Sequence, residues 1–175
     1  GLLARLQGNT TQRAYAWDVQ GGVRAEFGSE VPAGLEFQFT PDLSLCLLYN
    51  PQKKELAVLG KVPLQWKALE QGIDQQVLLS PRGDCLVLSC PGYSVDTRLI
   101  PIQKGQILLE KSIALPSDRQ PFFRPAGPSD VIGEDLLLRA PWDRPAVPVE
   151  GVLGYSPDGQ KYLMYQEGYG LLDIA

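Results

Sequence analysis

The apolar residues of this chain fall in short unbroken runs. LCLLY (45–49), CLVLS (85–89) and YLMY (162–165) lack the polar alternation of a half-solvated strand, so each predicts a strand covered on both faces. Ahead of each run stands the same punctuation, a Ser or Thr, then Pro, then two turn residues: Thr40-Pro41-Asp42-Leu43, Ser80-Pro81-Arg82-Gly83 and Ser156-Pro157-Asp158-Gly159. Proline presets φ at the second position of a β-turn and Gly suits the fourth, so each phrase predicts a hairpin turn. Leu43 departs from the pattern where Gly is easiest.

The phrases recur at intervals. Pro41 and Pro81 stand 40 residues apart, and Pro157 follows Pro81 at 76, close to twice 38. A degenerate copy is expected in between, and LPSDRQPFF (115–123) is the candidate. A second series runs out of phase: RAYAWDVQGGVRAEF (13–27) and RLIPIQKGQILLEKS (98–112) each read as strand, Gly-containing turn and strand, with KKELAVLGKVPLQWKAL from Lys53 in the intervening slot. Four short strands repeated about every 40 residues predict an all-β fold, a β-propeller of about four blades of four antiparallel strands. Helical solenoids have similar periods, but Pro, Gly and β-type runs at this density argue against helices. Residues 1–175 read as one propeller or partial-propeller domain. The strands before the first Pro turn, LLARL, RAYAWDV and VRAEF, and the closing GYGLLDIA set both ends inside a blade, which predicts half of a larger ring completed by self-association or by a longer chain.

The stretch AYAWDVQGGVRAEFGSEVPAGLEFQFTPDLSLCLLYN resembles one WD-repeat join, with Trp17-Asp18 closing a strand and FTPD where such blades carry FSPDG. YSPDGQKYLMYQEGYGLLDI is similar to the hairpin of TolB-type blades. The chain departs from the WD pattern in having no Gly-His dipeptide, and Trp-Asp recurs only at Trp142-Asp143. The resemblance implies a rigid scaffold for binding proteins and carries over no catalytic residue. The WD-type likeness points to the cytoplasm and the TolB-type likeness to the periplasm; the odd number of cysteines, three, leans to the reducing side.

Composition narrows the chemistry. A formal charge of -4 and a pI near 4.9 give no basic footprint for nucleic acid. No apolar run reaches the roughly 20 residues of a membrane-spanning helix, so no membrane insertion is expected. Cys46, Cys85 and Cys90 lie in or beside apolar runs and read as buried free thiols. With no histidine at all, a Ser-His-Asp triad and His-ligated zinc are excluded. There is no GxxxxGKS, GxGxxG, EF-hand loop or CxxC, so no cofactor or metal is expected. GYSPDG and GYSVD depart from a GxSxG elbow at the last position and read as hairpin residues.

Two other groups hold candidate chemistry. Asp130, Glu134 and Asp135 could hold a cation or a shared proton, although Glu134 and Asp135 on a strand face opposite ways. Asn9 in NTT fits a glycosylation acceptor. The segment 116–148 holds seven of the fifteen prolines and breaks the rhythm as a degenerate blade or insertion. Its Phe122, Phe123, Arg124, Trp142 and Arg144 are of the types enriched at binding hot spots and form the candidate partner surface. Function is then read as a non-enzymatic propeller scaffold for protein interaction or assembly. The alternatives are a propeller enzyme that uses carboxylates, as glycosidases of this architecture do, and a ligand-sensing propeller of a larger signalling protein.

Overall fold

A computed structural model of the chain describes residues 2–7, 11–17, 24–32, 34–59, 65–69, 76–89, 97–115, 121–133, 136–149, 151–165 and 169–173, with side chains only between residues 34 and 165. Apart from one 3-10 turn, Leu109–Lys111, the regular elements among the described residues are strands. Contacts divide the chain into two units, Gly1–Gly72 with Lys104–Ile107, and Ile73–Gln103 with Leu108–Ala175.

The first unit begins with an antiparallel sheet of β1 (Leu2–Gln7), β2 (Thr11–Trp17) and β3 (Arg24–Pro32), whose register shifts between Arg13 and Tyr15. The second sheet runs in order β4 (Glu36–Phe39), β5 (Cys46–Asn50), β6 (Glu55–Leu59) and β7 (Lys67–Ala68). Cys46 to Tyr49 are all buried, as the unbroken apolar run predicts. Cys46, Leu48, Ala57, Leu59 and Leu35 form a core on one face, against which Phe37, Phe39 and Trp66 pack.

In the second unit, β8 (Gln76–Leu79), β9 (Cys85–Ser89) and β10 (Arg98–Gln103) lie side by side, with β12 (Ile113–Ala114) also pairing β10; β11 (Gln106–Ile107) groups with the first unit. The fourth sheet is β13 (Phe122–Phe123), β14 (Val131–Gly133), β15 (Leu136–Leu138) and β16 (Val147–Pro148). The fifth is β17 (Val152–Tyr155), β18 (Lys161–Tyr165) and β19 (Tyr169–Asp173).

Stacking in this unit follows from two-residue periodicity. In the fourth sheet the cross-strand pair Val131 and Leu138 joins Cys85, Val87, Leu99 and Leu115 in one core, and the adjacent pair Ile132 and Leu137 joins Val152 and Tyr162 in another. The fourth sheet is therefore covered on both faces by its neighbours, the arrangement of stacked blades. The chain is all-β and propeller-like. The described residues hold five sheets, because β1–β3 make one of their own ahead of the first Pro turn.

The third apolar run behaves differently from the other two. Along β18 Tyr162 is buried, Met164 half-buried, and Leu163 and Tyr165 are 36% and 57% exposed. One face of this strand packs against the fourth sheet, and the other is not covered by any described residue to the same extent.

The hairpin turns are built alike. Thr40, Ser80 and Ser156 each donate N–H to the carbonyl five residues on, of Leu45, Cys85 and Lys161, at 3.1, 3.0 and 2.8 Å. Their hydroxyls accept the N–H of those same residues at 3.1, 3.2 and 2.9 Å, which is why a hydroxyl residue opens each phrase. The fourth turn residue is left-handed in all three, Leu43 at φ 57°, Gly83 and Gly159 at 68°. The degenerate copy is displaced from its expected place. The fourth sheet's first hairpin is closed by the Arg124 N–H on the Asp130 carbonyl (2.9 Å), so RPAGPSD at 124–130, and not LPSDRQPFF, occupies that position.

Candidate functional site

Where the sequence places an arginine instead of a hydroxyl residue, the second unit builds a polar cluster. Asp130 is buried. Its Oδ1 accepts the Ala140 N–H at 2.9 Å, and its Oδ2 faces Arg124 Nη1 at 3.7 Å, with side-chain exposures of only 12% for the arginine and 8% for the acid. Such a pair is costly to desolvate and is held in place by its other bonds. Arg124 supplies one of them, donating from Nε to the Gly159 carbonyl at 2.7 Å in the next sheet's turn. Beside them the buried Ser129 donates to Asp84 Oδ1, which also accepts from Ser80 Oγ at 2.9 Å. Turns of the third, fourth and fifth sheets are thus tied in series.

The loop after β15 is fastened to the same turn. Trp142 Nε1 donates to the Ser129 carbonyl at 3.1 Å, and its backbone sits at φ 66°, a conformation that bulky residues adopt only when their surroundings impose it.

Tyr155 and Tyr162 complete the cluster. They are direct partners across β17 and β18, with ring centroids 5.3 Å apart, and the ring of Phe122 meets Tyr155 edge-on at 5.8 Å. Both hydroxyls are buried and neither makes a hydrogen bond of good geometry, although the two phenols act on one another and Arg139 acts on Tyr162. Burial raises both phenols above their ordinary value of 10.0. For Tyr155 the neighbouring Tyr162 and then Asp130 add to the rise while Arg124 opposes it; for Tyr162 the opposing charges are Arg139 and Arg124, with Asp130 adding. Asp130 and Arg124 therefore act on both hydroxyls, and Arg139 on that of Tyr162.

The five residues expected to form a partner surface are distributed among different roles. Phe123 and Trp142 pack on the core between the third and fourth sheets, Phe122 on the core between the fourth and fifth, so the two phenylalanines serve opposite faces. Arg124 is the strut already described, and Arg144 is exposed. Cys46 and Cys85 are buried free thiols, and burial pushes Cys46 up to about 12 and Cys85 higher. Of the acidic group only Asp130 is placed; Glu134, Asp135, Cys90, Asn9 and residues 116–120 lie outside the described residues. Among the described residues no three His, Cys, Asp or Glu could hold a metal ion, and no helix is long and apolar enough to cross a membrane. The tyrosine pair was not singled out by the sequence, although Tyr155 and Tyr162 flank the SPDG turn at positions that a hairpin brings face to face.

No protein family and no curated protein matches the chain. Among solved structures it is similar to two proteins provisionally named 6-phosphogluconolactonase. The one from Bacteroides uniformis is 10% identical with a TM-score of 0.48, over 98% of this chain and 66% of that one. The one from Bacteroides fragilis is 11% identical with a TM-score of 0.45, over 94% and 63%. The chain thus spans just under two thirds of the length of either. Neither likeness transfers a residue role. Both bear the names of enzymes, which is said of those proteins alone; the reading of this chain as a non-enzymatic scaffold is not kept, since three of the five residues expected on its partner surface pack against cores.

Proposed function

We propose that the chain is part of a propeller enzyme that acts on a small, oxygen-rich molecule of the sugar type, using carboxylates and phenols where other enzymes use histidine. One observation supports this reading: a buried ion pair, Asp130 with Arg124, acts electrostatically on two buried hydroxyls, those of Tyr155 and Tyr162, which lie side by side. Perturbed ionisable groups gathered at one place are a mark of functional sites. In this reading Asp130 supplies the carboxylate for proton transfer, Arg124 holds its charge and orientation, and the phenols donate to substrate oxygens. The hairpins are of the SPDG type that resembles TolB-type blades.

The test is a turnover assay of the full chain on a panel of glycosides and sugar lactones, phosphorylated members included, beside Asp130→Asn. Turnover by the wild type and a loss of about a hundredfold or more in the variant, with the fold retained by circular dichroism, is the expected result. Absence of turnover across the panel overturns the reading.

A further inference from the structure

Aligned on their turns, which close the same hydrogen bond at Leu45, Cys85 and Lys161, the three hairpins put Leu47, Val87 and Leu163 at one position of the repeat. Leu47 and Val87 are each 1% exposed, whereas Leu163 is 36% exposed. Val87 owes its burial to the next sheet along the chain, whose Val131 and Leu138 share its core. Tyr162, on the opposite face of β18 from Leu163, packs back on Ile132 and Leu137 of the sheet before it. The fifth sheet is thus covered on one face by the fourth and left open on the face where the third sheet takes its neighbour.

That open face is apolar and shaped. Tyr165 shares it with Leu163 by two-residue alternation and is 57% exposed. Leu153, the extra residue at the register shift of β17, is 46% exposed beside them. Gly154 pairs with Leu163 and adds no side chain, and a Cβ there would meet nothing within 4 Å. Three apolar side chains therefore border an open dent, and exposed apolar surface gathered in this way marks a contact site.

The chain itself supplies a matching surface. Among the described residues the exposed large apolar side chains are Val147, Leu153, Leu163 and Tyr165, and the last three lie on this one face. A second copy accordingly offers the same patch and no other like it among those residues. We propose that the Leu153, Leu163 and Tyr165 face of the fifth sheet packs on its own counterpart in a second copy, with the Tyr165 ring of each copy over Gly154 of the other. A two-fold contact uses one patch twice and closes at two copies. It continues, across the symmetry axis, the sheet-on-sheet stacking that joins the fourth sheet to the fifth. A face of three strands is smaller than a standard interface, so the dimer is a weak one, half dissociated on the order of 10–100 µM. Tyr155 and Tyr162 sit on the other face, which makes the dimer independent of the enzyme reading.

Sedimentation velocity of the full chain from roughly 3 to 300 µM brackets that range and tests the contact. A monomer at the low end and a dimer at the high end is the expected result. Leu163→Glu and Gly154→Glu each set a charge in the contact at a position with room for it, and weaken association about tenfold or more. Tyr165→Ser weakens it without adding a charge. Circular dichroism of the variants matches wild type, because all three positions are open to solvent in the monomer. Val147→Glu, exposed on the fourth sheet and off this face, leaves association unchanged. A monomer across the whole range overturns the proposal, as does a dimer that survives all three variants or that Val147→Glu disrupts equally. Growth past two copies with concentration means head-to-tail stacking and overturns the two-fold contact.

Discussion

Arg124 and Gly159, 35 residues apart, are joined by a 2.7 Å hydrogen bond from the arginine Nε to the glycine carbonyl. The contact joins the first hairpin turn of the fourth sheet to that of the fifth. It depends on close approach: a Cβ on Gly159 would lie 2.9 Å from the Ala126 carbonyl oxygen and 3.1 Å from the Ala126 nitrogen, at a φ of +68°.

Gly159→Ala is therefore expected to destabilise the chain by about 2–3 kcal/mol, through left-handed strain and backbone overlap together. Leu43→Gly, at the matching position of the first turn and at φ 57°, has the opposite sign, with a gain of about 0.5–1 kcal/mol after the loss of a half-buried side chain. Urea midpoints of the two variants against wild type check the pair; equal signs would contradict the shared turn geometry.

Asp130 has two bonds that substitution separates. Asp130→Asn keeps an acceptor for the Ala140 N–H but leaves Arg124 without its counter-charge, at an expected cost of about 1–2 kcal/mol. Asp130→Ala loses both and strands a guanidinium that is 12% exposed, for about 3–5 kcal/mol. Chemical denaturation of both variants measures the difference, and a smaller loss for alanine than for asparagine would show that the carboxylate is not holding the loop.

Legibility in the sequence tracked how local each cause was. The turns at Thr40, Ser80 and Ser156 could be read because hydroxyl, proline and left-handed residue lie within four positions, and the hydrogen bonds they make close within five. The fourth turn was misplaced because Arg124 has no hydroxyl for that role and makes its bond to a carbonyl in another sheet. YLMY was read as buried on both faces, but whether Leu163 is covered depends on what lies across it, which a run of apolar letters does not encode. The tyrosine pair escaped notice for the same reason. Its cross-strand register follows from the SPDG turn, while the burial of both hydroxyls is imposed by the fourth sheet, through Phe122, Ile132 and Leu137.

Burial of the thiols makes stability fall on the alkaline side. Folded Cys46 keeps its proton up to about 12, while the unfolded chain releases it near 9.0. Below pH 9 both states are protonated and nothing is lost. Above it the unfolded state binds fewer protons, so the free energy of unfolding declines by about 1.4 kcal/mol per pH unit for this group. Cys85 acts in the same direction, and the two phenols join it above 10.0. Urea unfolding between pH 8 and pH 11 is expected to show flat stability at first and then a steepening loss, shallower in Cys46→Ala. At pH 8 neither Cys46 nor Cys85 should react with an aromatic disulfide reagent until denaturant is added, as peptide mapping can establish.

The repeated hydroxyl also predicts unequal costs from equal chemistry. Ser80 is fully buried; its Oγ accepts the N–H groups of Asp84 and Cys85, each at 3.2 Å, and donates to Asp84 Oδ1 at 2.9 Å. Ser80→Ala leaves the Cys85 N–H unsatisfied out of reach of water and loosens the carboxylate that also accepts from Ser129, for about 2–3 kcal/mol. Ser156 makes the same bond to the Lys161 N–H at 2.9 Å, but in an exposed turn where water can replace the hydroxyl. Ser156→Ala should cost about 0.5–1 kcal/mol. Comparison of the two alanine variants by urea midpoint weighs burial together with the carboxylate each hydroxyl holds, since both accept the N–H five residues on but one donates to Asp84 and the other to Asp158. Equal losses would mean that the motif stabilises the hairpin through turn geometry alone, with no contribution from the Ser80–Asp84–Ser129 chain that ties the third sheet to the fourth.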